Sequence, residues 1–170
     1  MNCINFVVPM NACPCGYFPD RERCRCTEAE VHRYQSRVSR PLLERIDICT
    51  EVKKLSYEDL HGMQKSECSF DIRGRVERAG RIQSRRYQKE PFRFNSAIPP
   101  GRIEEFCRMD GEARRRIRDV YEAKKLGART YHKILKVART IADLDGAEVI
   151  GKRHVSEAVS YRDRTWECEG

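Results

Sequence analysis

Apolar positions recur with a helical period through the second half of the chain. Between residues 129 and 144 they return at intervals of three and four, which predicts a helix with one buried face. That face consists of Tyr131, Ile134, Leu135, Ala138, Ile141 and Ala142. Helices are also predicted over residues 103–109, 112–125 and 155–162, with Asp110 as the N-cap of the second. Residues 95–170 are therefore predicted to form a compact all-α unit.

The first half of the chain alternates between short elements of different kinds. An apolar, β-branched run predicts a strand over residues 5–10, and a loop rich in Cys, Pro and Gly follows over residues 11–25. Thr27 and Glu30 have the spacing of a capping box, which predicts a helix to about Arg37. Pro41 suits the first position of a short helix over residues 41–45. A second strand is predicted over residues 48–52.

Residues 55–69 have the composition of a linker with a short helix at 57–61, and a longer helix is predicted over residues 71–87. Ile72, Val76 and Ala79 share one face of this helix. The basic residues on another face, spaced by three and four, are Arg75, Arg78, Arg81, Arg85 and Lys89. Such a stripe is either a solvated helix face or a surface for a polyanion. Residues 91–101 are predicted to be irregular.

Composition supports a polyanionic partner and gives no sign of a membrane protein. The chain has 170 residues, a net charge of +8 and a mean hydropathy of −0.74. Between residues 73 and 93, eight Lys or Arg residues face only Glu77 and Glu90. No run of 18 apolar residues and no signal-peptide pattern is present in the sequence, so we expect a cytoplasmic protein without a membrane partner.

Four of the nine cysteines form two close pairs in the predicted loop. Cys13 and Cys15 are separated by eight residues from Cys24 and Cys26. Four thiolates on a short loop can close a tetrahedral zinc site, which would be structural because every coordination position is filled. The alternatives are free cysteines or a pair that forms a disulfide only on oxidation. The remaining cysteines are isolated and are interpreted as ordinary residues.

One segment imitates a phosphate-binding loop. Residues 146–152 fit the pattern G-x-x-x-x-G-K, but Arg153 follows where the motif needs a hydroxyl, and Val149 and Ile150 occupy the interior. The segment also follows a helix rather than a strand. We therefore expect this chain to have no phosphate-binding loop of its own.

Three further polar residues are individually unremarkable. Asn11 follows the first predicted strand, where it could orient a water molecule or simply form a turn. Arg45 ends a short helix and is typical of a surface ion pair. Arg129 begins a helix after Gly127. None of the three indicates a function by itself.

Taken together, the motifs resemble the magnesium-chelatase-like branch of the AAA+ ATPases. The resemblance covers nearly the whole chain and is carried by residues 10–16, 24–27, 41–47, 128–132, 137–144 and 154–162. The family usually has Asn-Pro where this chain has Asn11 and Ala12. The resemblance implies a mostly α chain: the C-terminal part of an α/β AAA+ core over residues 1–55, a linker and basic helix over 56–94, and an all-α helical lid over 95–170.

The resemblance also implies catalytic roles for the three polar residues. Members of the family hydrolyse ATP, with Mg, in ring-shaped oligomers, expected here to be hexamers of identical subunits. Asn11 corresponds to the sensor 1 residue that polarises the attacking water, and Arg45 to the arginine finger that reaches a neighbour's site. Arg129 corresponds to sensor 2, which contacts the ATP γ-phosphate. The members of the family that the motifs resemble most are associated with recombination of incoming DNA in natural transformation and act as a ring that moves branched DNA.

The family's phosphate loop and magnesium-binding acidic motif lie upstream of the first predicted strand. We therefore expect the isolated chain to bind ATP weakly at most and not to hydrolyse it. Two other functions stay open from the sequence. One is the motor subunit of a metal-insertion chelatase, and the other is a non-catalytic DNA-binding module that contains zinc.

Overall fold

The computed structural model describes residues 6–52, 55, 57, 61 and 67–162. These residues fall into two compact units, 6–46 and 47–162. The first unit contains α1 (Glu28–Gln35) and α2 (Arg40–Arg45). The second contains α3 (Ser69–Arg86), α4 (Ile103–Phe106), α5 (Gly111–Ala123), α6 (Ala128–Leu144) and α7 (Lys152–Ser160). Two short 3-10 helices, Asn95–Ala97 and Pro100–Arg102, precede α4.

The first unit is built from the cysteine loop and the helix that follows it. Thr27 caps α1 as predicted: its Oγ1 accepts from the Glu30 backbone N–H at 3.3 Å, and Glu30 Oε2 accepts from the Thr27 N–H at 2.8 Å. Val31 is the buried residue of α1. Gln35 donates to the Ala12 carbonyl at 2.9 Å and so ties the end of α1 to the start of the loop.

The second unit is organised around α6. This helix packs against α3, α4 and α7, and α5 packs against α7. The predicted buried face of α6 is confirmed at Ile134, Leu135, Ala138, Ile141 and Ala142, while Tyr131 is half-buried at its edge. Asp110 caps α5 as predicted, with its Oδ1 accepting from the Ala113 N–H at 2.7 Å.

The prediction of a mostly helical chain is confirmed, and the predicted strands are wrong within the described residues. Residues 6–10 and 48–52 contain no strand, and a single bridge, between Met109 and Ile150, is the β pairing in the described ranges. Apolar β-branched residues favour an extended backbone, but a strand also needs a neighbour to pair with. Val7 and Val52 are about nine-tenths exposed, so no sheet covers them in the described part. Residue 5 of the first prediction lies outside the described residues.

The sequence analysis placed domain boundaries after residues 55 and 94, whereas the two compact units of the structure meet between residues 46 and 47. The described residues from Asp47 onward, α3 included, belong to the second compact unit. Of the predicted helix at 57–61, Tyr57 and His61 are helical, and the residues between them lie outside the described part. No helix in the described ranges combines the length and the apolar character needed to cross a membrane.

Only the C-terminal half of α3 is buried as its pattern predicts. Ala79 and Gln83 lie against the core, whereas Ile72 and Val76 on the same face are 44% and 59% exposed. The helix ends at Arg86, so Lys89, the last residue of the basic stripe, lies in a turn beyond the helix.

Residues 146–152 are anchored by one buried side chain, and several of their backbone amides already have partners. Ile150 is fully buried, and its backbone N–H donates to the Arg108 carbonyl at 2.8 Å. The Gly151 N–H donates to Nδ1 of His154 at 2.9 Å. Amides that are already satisfied in this way cannot bind phosphate, in agreement with the rejection of this motif.

Candidate functional site

The four paired cysteines form one cluster in the first unit. The Sγ atoms of Cys13, Cys15 and Cys24 lie 3.3 to 3.8 Å apart, and all four sulfurs, including that of Cys26, lie within 4.8 Å of one another. Cys13 is buried, Cys15 is exposed, and the other two are half-buried. All four are free thiols, with no disulfide among them.

Backbone turns hold the cysteine loop around the sulfurs. The Gly16 N–H donates to the Cys13 carbonyl at 3.1 Å, and Gly16 has a φ of +80°, a conformation that favours glycine. The Phe18 N–H points at Sγ of Cys13 across 3.3 Å. Backbone donors aimed at sulfur stabilise thiolates, as in protein sites that coordinate metal through cysteine.

The thiols differ in acidity because they share one small volume. Hydrogen bonding from the Tyr17 backbone lowers the pKa of Cys15 to about 6. At Cys26 a hydrogen bond from the Cys15 backbone favours the thiolate, but burial and the neighbouring sulfurs outweigh it and raise the pKa to about 12. The pKa of Cys24 is also raised. Four negative sulfurs repel one another at these distances, and a dication at their centre would remove that repulsion.

The donor set and its dimensions fit a zinc ion. With Zn–S bonds of about 2.3 Å, tetrahedral geometry places sulfurs about 3.8 Å apart. The three Sγ–Sγ separations among Cys13, Cys15 and Cys24, 3.3, 3.6 and 3.8 Å, lie near that value. Four thiolates leave no open coordination position, which is typical of structural rather than catalytic zinc.

Asn11 lies beside the cysteine loop rather than at the end of a strand. A Cβ added at Gly16 would stand 3.6 Å from Nδ2 of Asn11, so the amide side chain runs alongside the tight turn. Asn11 is exposed. The structure thus groups Asn11 with the four cysteines.

The two candidate catalytic arginines both lie exposed at helix ends. Arg45 is the last residue of α2 in the first unit, and Arg129 is the second residue of α6 in the second unit. No side chain caps α6, and its first turn contains no acidic residue. An arginine here adds positive charge where the helix dipole is already positive, an arrangement that an anion would stabilise.

The basic stripe on α3 faces away from the core. Arg75, Arg78, Arg81 and Arg85 are exposed, as is Lys89 beyond the helix end. Two of these charges are partly neutralised: Arg75 pairs with Glu67 at 2.6 Å, and Arg81 approaches Glu77 at 4.0 Å.

A buried charge network that the sequence analysis missed joins α3 to α6. Arg86 donates to Asp143 at 2.8 and 2.5 Å, and Arg139 donates to the same carboxylate at 3.1 Å. Asn95 donates to Asp143 at 2.9 Å and accepts from the Tyr87 hydroxyl at 2.5 Å. Arg139 and Asp143 are spaced by four residues on the predicted buried side of α6, next to Ala142. Two opposite charges at these positions were the feature of the sequence that could have indicated the buried network.

Two family comparisons together match most of the chain. The family described as "Magnesium chelatase, subunit ChlI C-terminal" matches residues 66–162. The family described as "Magnesium chelatase, subunit ChlI" matches residues 2–60. These matches confirm the resemblance inferred from the sequence motifs.

Curated bacterial proteins are similar over almost the whole chain. The uncharacterized protein YifB is 33% identical in Salmonella typhimurium, over 157 residues, and 33% identical in Escherichia coli, over 161 residues. The competence protein ComM of Haemophilus influenzae is 32% identical over 157 residues. Each alignment covers 92% of this chain and 30% of the relative. The chain therefore spans about three tenths of the length of these relatives.

Proposed function

The chain belongs to the family of the magnesium chelatase subunit ChlI. We propose that it supplies catalytic residues to an ATP-driven hexameric ring that acts on DNA. Three residues carry the chemistry: Asn11, Arg45 and Arg129. The ring moves branched DNA during recombination, as in natural transformation. This role in DNA handling is supported by the similarity to a relative named as a competence protein.

The observation that carries the ATPase proposal is the beginning of α6. The helix starts at Gly127 without a side-chain cap or an acidic first-turn residue, and Arg129 is exposed there. Free backbone donors, a positive dipole end and a guanidinium together form a site suited to a phosphate group. Arg139 and Arg86, by contrast, are engaged in the buried network and serve packing.

Each residue has a defined task in phosphoryl transfer. The carboxamide of Asn11 orients the attacking water, and Arg129 contacts the γ-phosphate and couples the lid to the state of the nucleotide. Arg45 reaches the neighbouring subunit's site and neutralises charge that develops in the transition state. An arginine in this role contributes about 10³-fold or more to the rate. Mg-ATP, when bound, supplies the phosphoryl group and the charge-neutralising metal.

Zinc is proposed as the structural metal of the first unit. Cys13, Cys15, Cys24 and Cys26 would hold it, and α1 begins at Glu28, two residues after Cys26. A metal at this point fixes the loop that carries Asn11 relative to α1. The loop otherwise has few buried apolar residues to hold it, Cys13 being the fully buried one.

Subunit mixing tests the roles of Asn11 and Arg45 in the whole gene product. Asn11→Ala and Arg45→Ala rings should each lose ATP hydrolysis. Mixed rings regain sites that combine an intact Asn11 with a neighbour's intact Arg45. Random mixing should restore about a quarter of the wild-type rate, because one interface in four has this pairing. No recovery on mixing would contradict an arginine acting between subunits.

Arg33→Ala is the matched control, because Arg33 is exposed on α1 of the same unit and has no proposed catalytic role. It should hydrolyse ATP at the wild-type rate. The isolated chain should show no tight ATP binding by calorimetric titration. Unchanged ATPase activity in the Asn11, Arg45 and Arg129 variants, with DNA binding retained, would instead favour a non-catalytic zinc-containing DNA-binding module.

DNA binding is assigned to the α3 stripe, which includes Lys89 beyond the helix. Arg78→Glu, Arg81→Glu and Arg85→Glu together should weaken DNA binding and reduce its dependence on salt. DNA-stimulated rather than porphyrin-dependent ATP turnover separates this function from that of a metal-insertion motor. An unchanged affinity and salt slope would remove α3 from the DNA-binding surface.

A further inference from the structure

A second basic surface lies on α5, on the side of the helix opposite its buried face. Ala113, Ile117 and Val120 form the buried face against the core. Arg114, Arg115 and Arg118 are exposed, within about 100° of one another around the helix axis at 3.6 residues per turn. We call these three residues the α5 arginines. Tyr121 follows one turn later on the same side and is 42% exposed.

The α5 arginines are less neutralised than the stripe on α3. In the part of the chain that the structure describes, no carboxylate lies within ion-pair distance of any of them, whereas Arg75 and Arg81 on α3 each have one. Asp119 and Glu122 follow Arg115 and Arg118, respectively, by four residues on the same helix, and neither forms an ion pair in the described ranges. Three concentrated guanidiniums without internal partners attract a polyanion.

Tyr121 adds an aromatic ring to the surface, which attraction between charges alone would not require. Its ring is held edge-on against Tyr131 of α6, with centroids 5.8 Å apart and an interplanar angle of 87°. A supported, partly exposed aromatic ring beside arginines can stack with an unpaired base while the arginines contact phosphates. From Arg114 to Tyr121 the helix rises about 10 Å, the length of roughly three nucleotides of one strand.

We infer that the outward face of α5 binds single-stranded nucleic acid. The α5 arginines contact successive phosphates, and Tyr121 stacks on a base. This contact is separate from the α3 stripe, and it deepens the proposed action on DNA, on which it rests. Branched DNA that is being moved exposes unpaired segments, which an aromatic and arginine surface can hold without reading their sequence.

The test measures binding of the whole chain to a fluorescent 20-nucleotide single strand over a range of salt concentrations. Arg114→Glu, Arg115→Glu and Arg118→Glu are combined in one variant. The control reverses Arg93, Arg108 and Lys152, which are exposed, lie outside both surfaces and change the net charge equally. The α5 variant should bind at least tenfold more weakly than the control. Its salt slope should fall by about two, because each lost phosphate contact removes about 0.7 for single strands.

Three single substitutions sharpen the test. Tyr121→Ala should weaken binding by about tenfold, since stacking on one base is worth roughly 1 to 3 kcal/mol, and Tyr121→Phe should not. Glu122→Gln removes one of the two acidic neighbours and should strengthen binding. Circular dichroism checks that each variant retains the helical content of the parent.

Different failures have different meanings. If the α5 variant matches the control while the α3 reversal abolishes binding, the α5 inference is overturned and the α3 proposal stands. If the wild-type chain does not bind the single strand, the α5 inference is overturned. The α3 proposal is then decided by measuring DNA binding of the whole gene product and of its α3 reversal variant. If polyglutamate competes as well as DNA and Tyr121→Ala has no effect, the surface binds acidic protein, which also overturns the inference.

Discussion

Arg86 on α3 binds Asp143 on α6 through two hydrogen bonds, although 57 positions separate them in the sequence. The Asp143 side chain is fully buried, and that of Arg86 is 18% exposed. Asp143 also accepts from Asn95 and Arg139, so four hydrogen bonds satisfy one buried carboxylate. This single residue fixes the position of α3 on α6, because the rest of the contact is small: Ala79 and Gln83 are the buried residues of α3.

Removing the Arg86 side chain should loosen α3 from α6. Arg86→Met keeps the length of the side chain but leaves Asp143 with a charge that Arg139 alone must compensate. We expect the free energy of opening to fall by about 3 kcal/mol, the scale for breaking a buried ion pair. Hydrogen exchange of the α3 and α6 amides measures this directly. Arg85→Ala, at the exposed neighbouring position, should change it by less than about 0.5 kcal/mol, and an equal effect would contradict the assignment.

Zinc removal should affect one unit and spare the other. We expect one zinc per chain by elemental analysis, and none in Cys13→Ser because a ligand is lost. Chelation should raise hydrogen exchange in α1, which starts beside the cluster, while α6 keeps its protection through its own apolar core. Cys107→Ser is the control, since this buried cysteine belongs to the second unit and not to the cluster. Metal-free protein with an unchanged α1 would refute a structural zinc.

Zinc affinity should rise with pH. The pKa values of Cys24 and Cys26 are raised, the latter to about 12, so both thiols hold protons at neutral pH, whereas the Cys15 pKa of about 6 means that it is mostly ionised there. Zinc must displace the protons from Cys24 and Cys26, and so its apparent association constant should rise by at least two log units per pH unit between pH 7 and 8. Competition with a chromophoric chelator measures this slope. A flat profile would mean that thiolates do not form the site.

Arg129 should act through phosphate contact rather than through folding. Arg129→Ala in the whole gene product should lower kcat by about a hundredfold or more, and Arg129→Lys should recover only part of the loss, because an ammonium lacks the planar fork of a guanidinium. Stability should be unchanged, since the residue is exposed. Arg108→Ala, exposed elsewhere in the second unit, should retain the wild-type rate. Loss of helical structure in Arg129→Ala would assign the residue a packing role instead.

Local signals in the sequence predicted the helices and the cysteine cluster. The capping box at Thr27 and the N-cap at Asp110 are interactions between residues three positions apart, so the sequence contains all their parts. The cysteine cluster is confined to one short loop for the same reason. Family motifs, rather than local chemistry, pointed to Asn11, Arg45 and Arg129.

Features that depend on distant partners were not predictable in the same way. The pattern of residues 6–10 satisfies the local preference for a strand, but pairing is a property of the neighbouring segment, and no described residue pairs with it. Arg86 and Asp143 each count as polar in a periodicity analysis, and only their meeting across the fold makes burial favourable. The exposure of Ile72 and Val76 likewise depends on which other elements lie beside α3, which the pattern within α3 does not contain.

Because it is only partly buried, α3 is anchored at one end. Its N-terminal half is exposed, and its C-terminal half is held where Arg86 binds Asp143. From Ile72 to Arg86 the helix extends about 21 Å. A force applied to the exposed N-terminal end of α3 would therefore act over that length on the contact between Arg86 and Asp143. That contact lies at the C-terminal end of α6, the helix whose first turn carries Arg129.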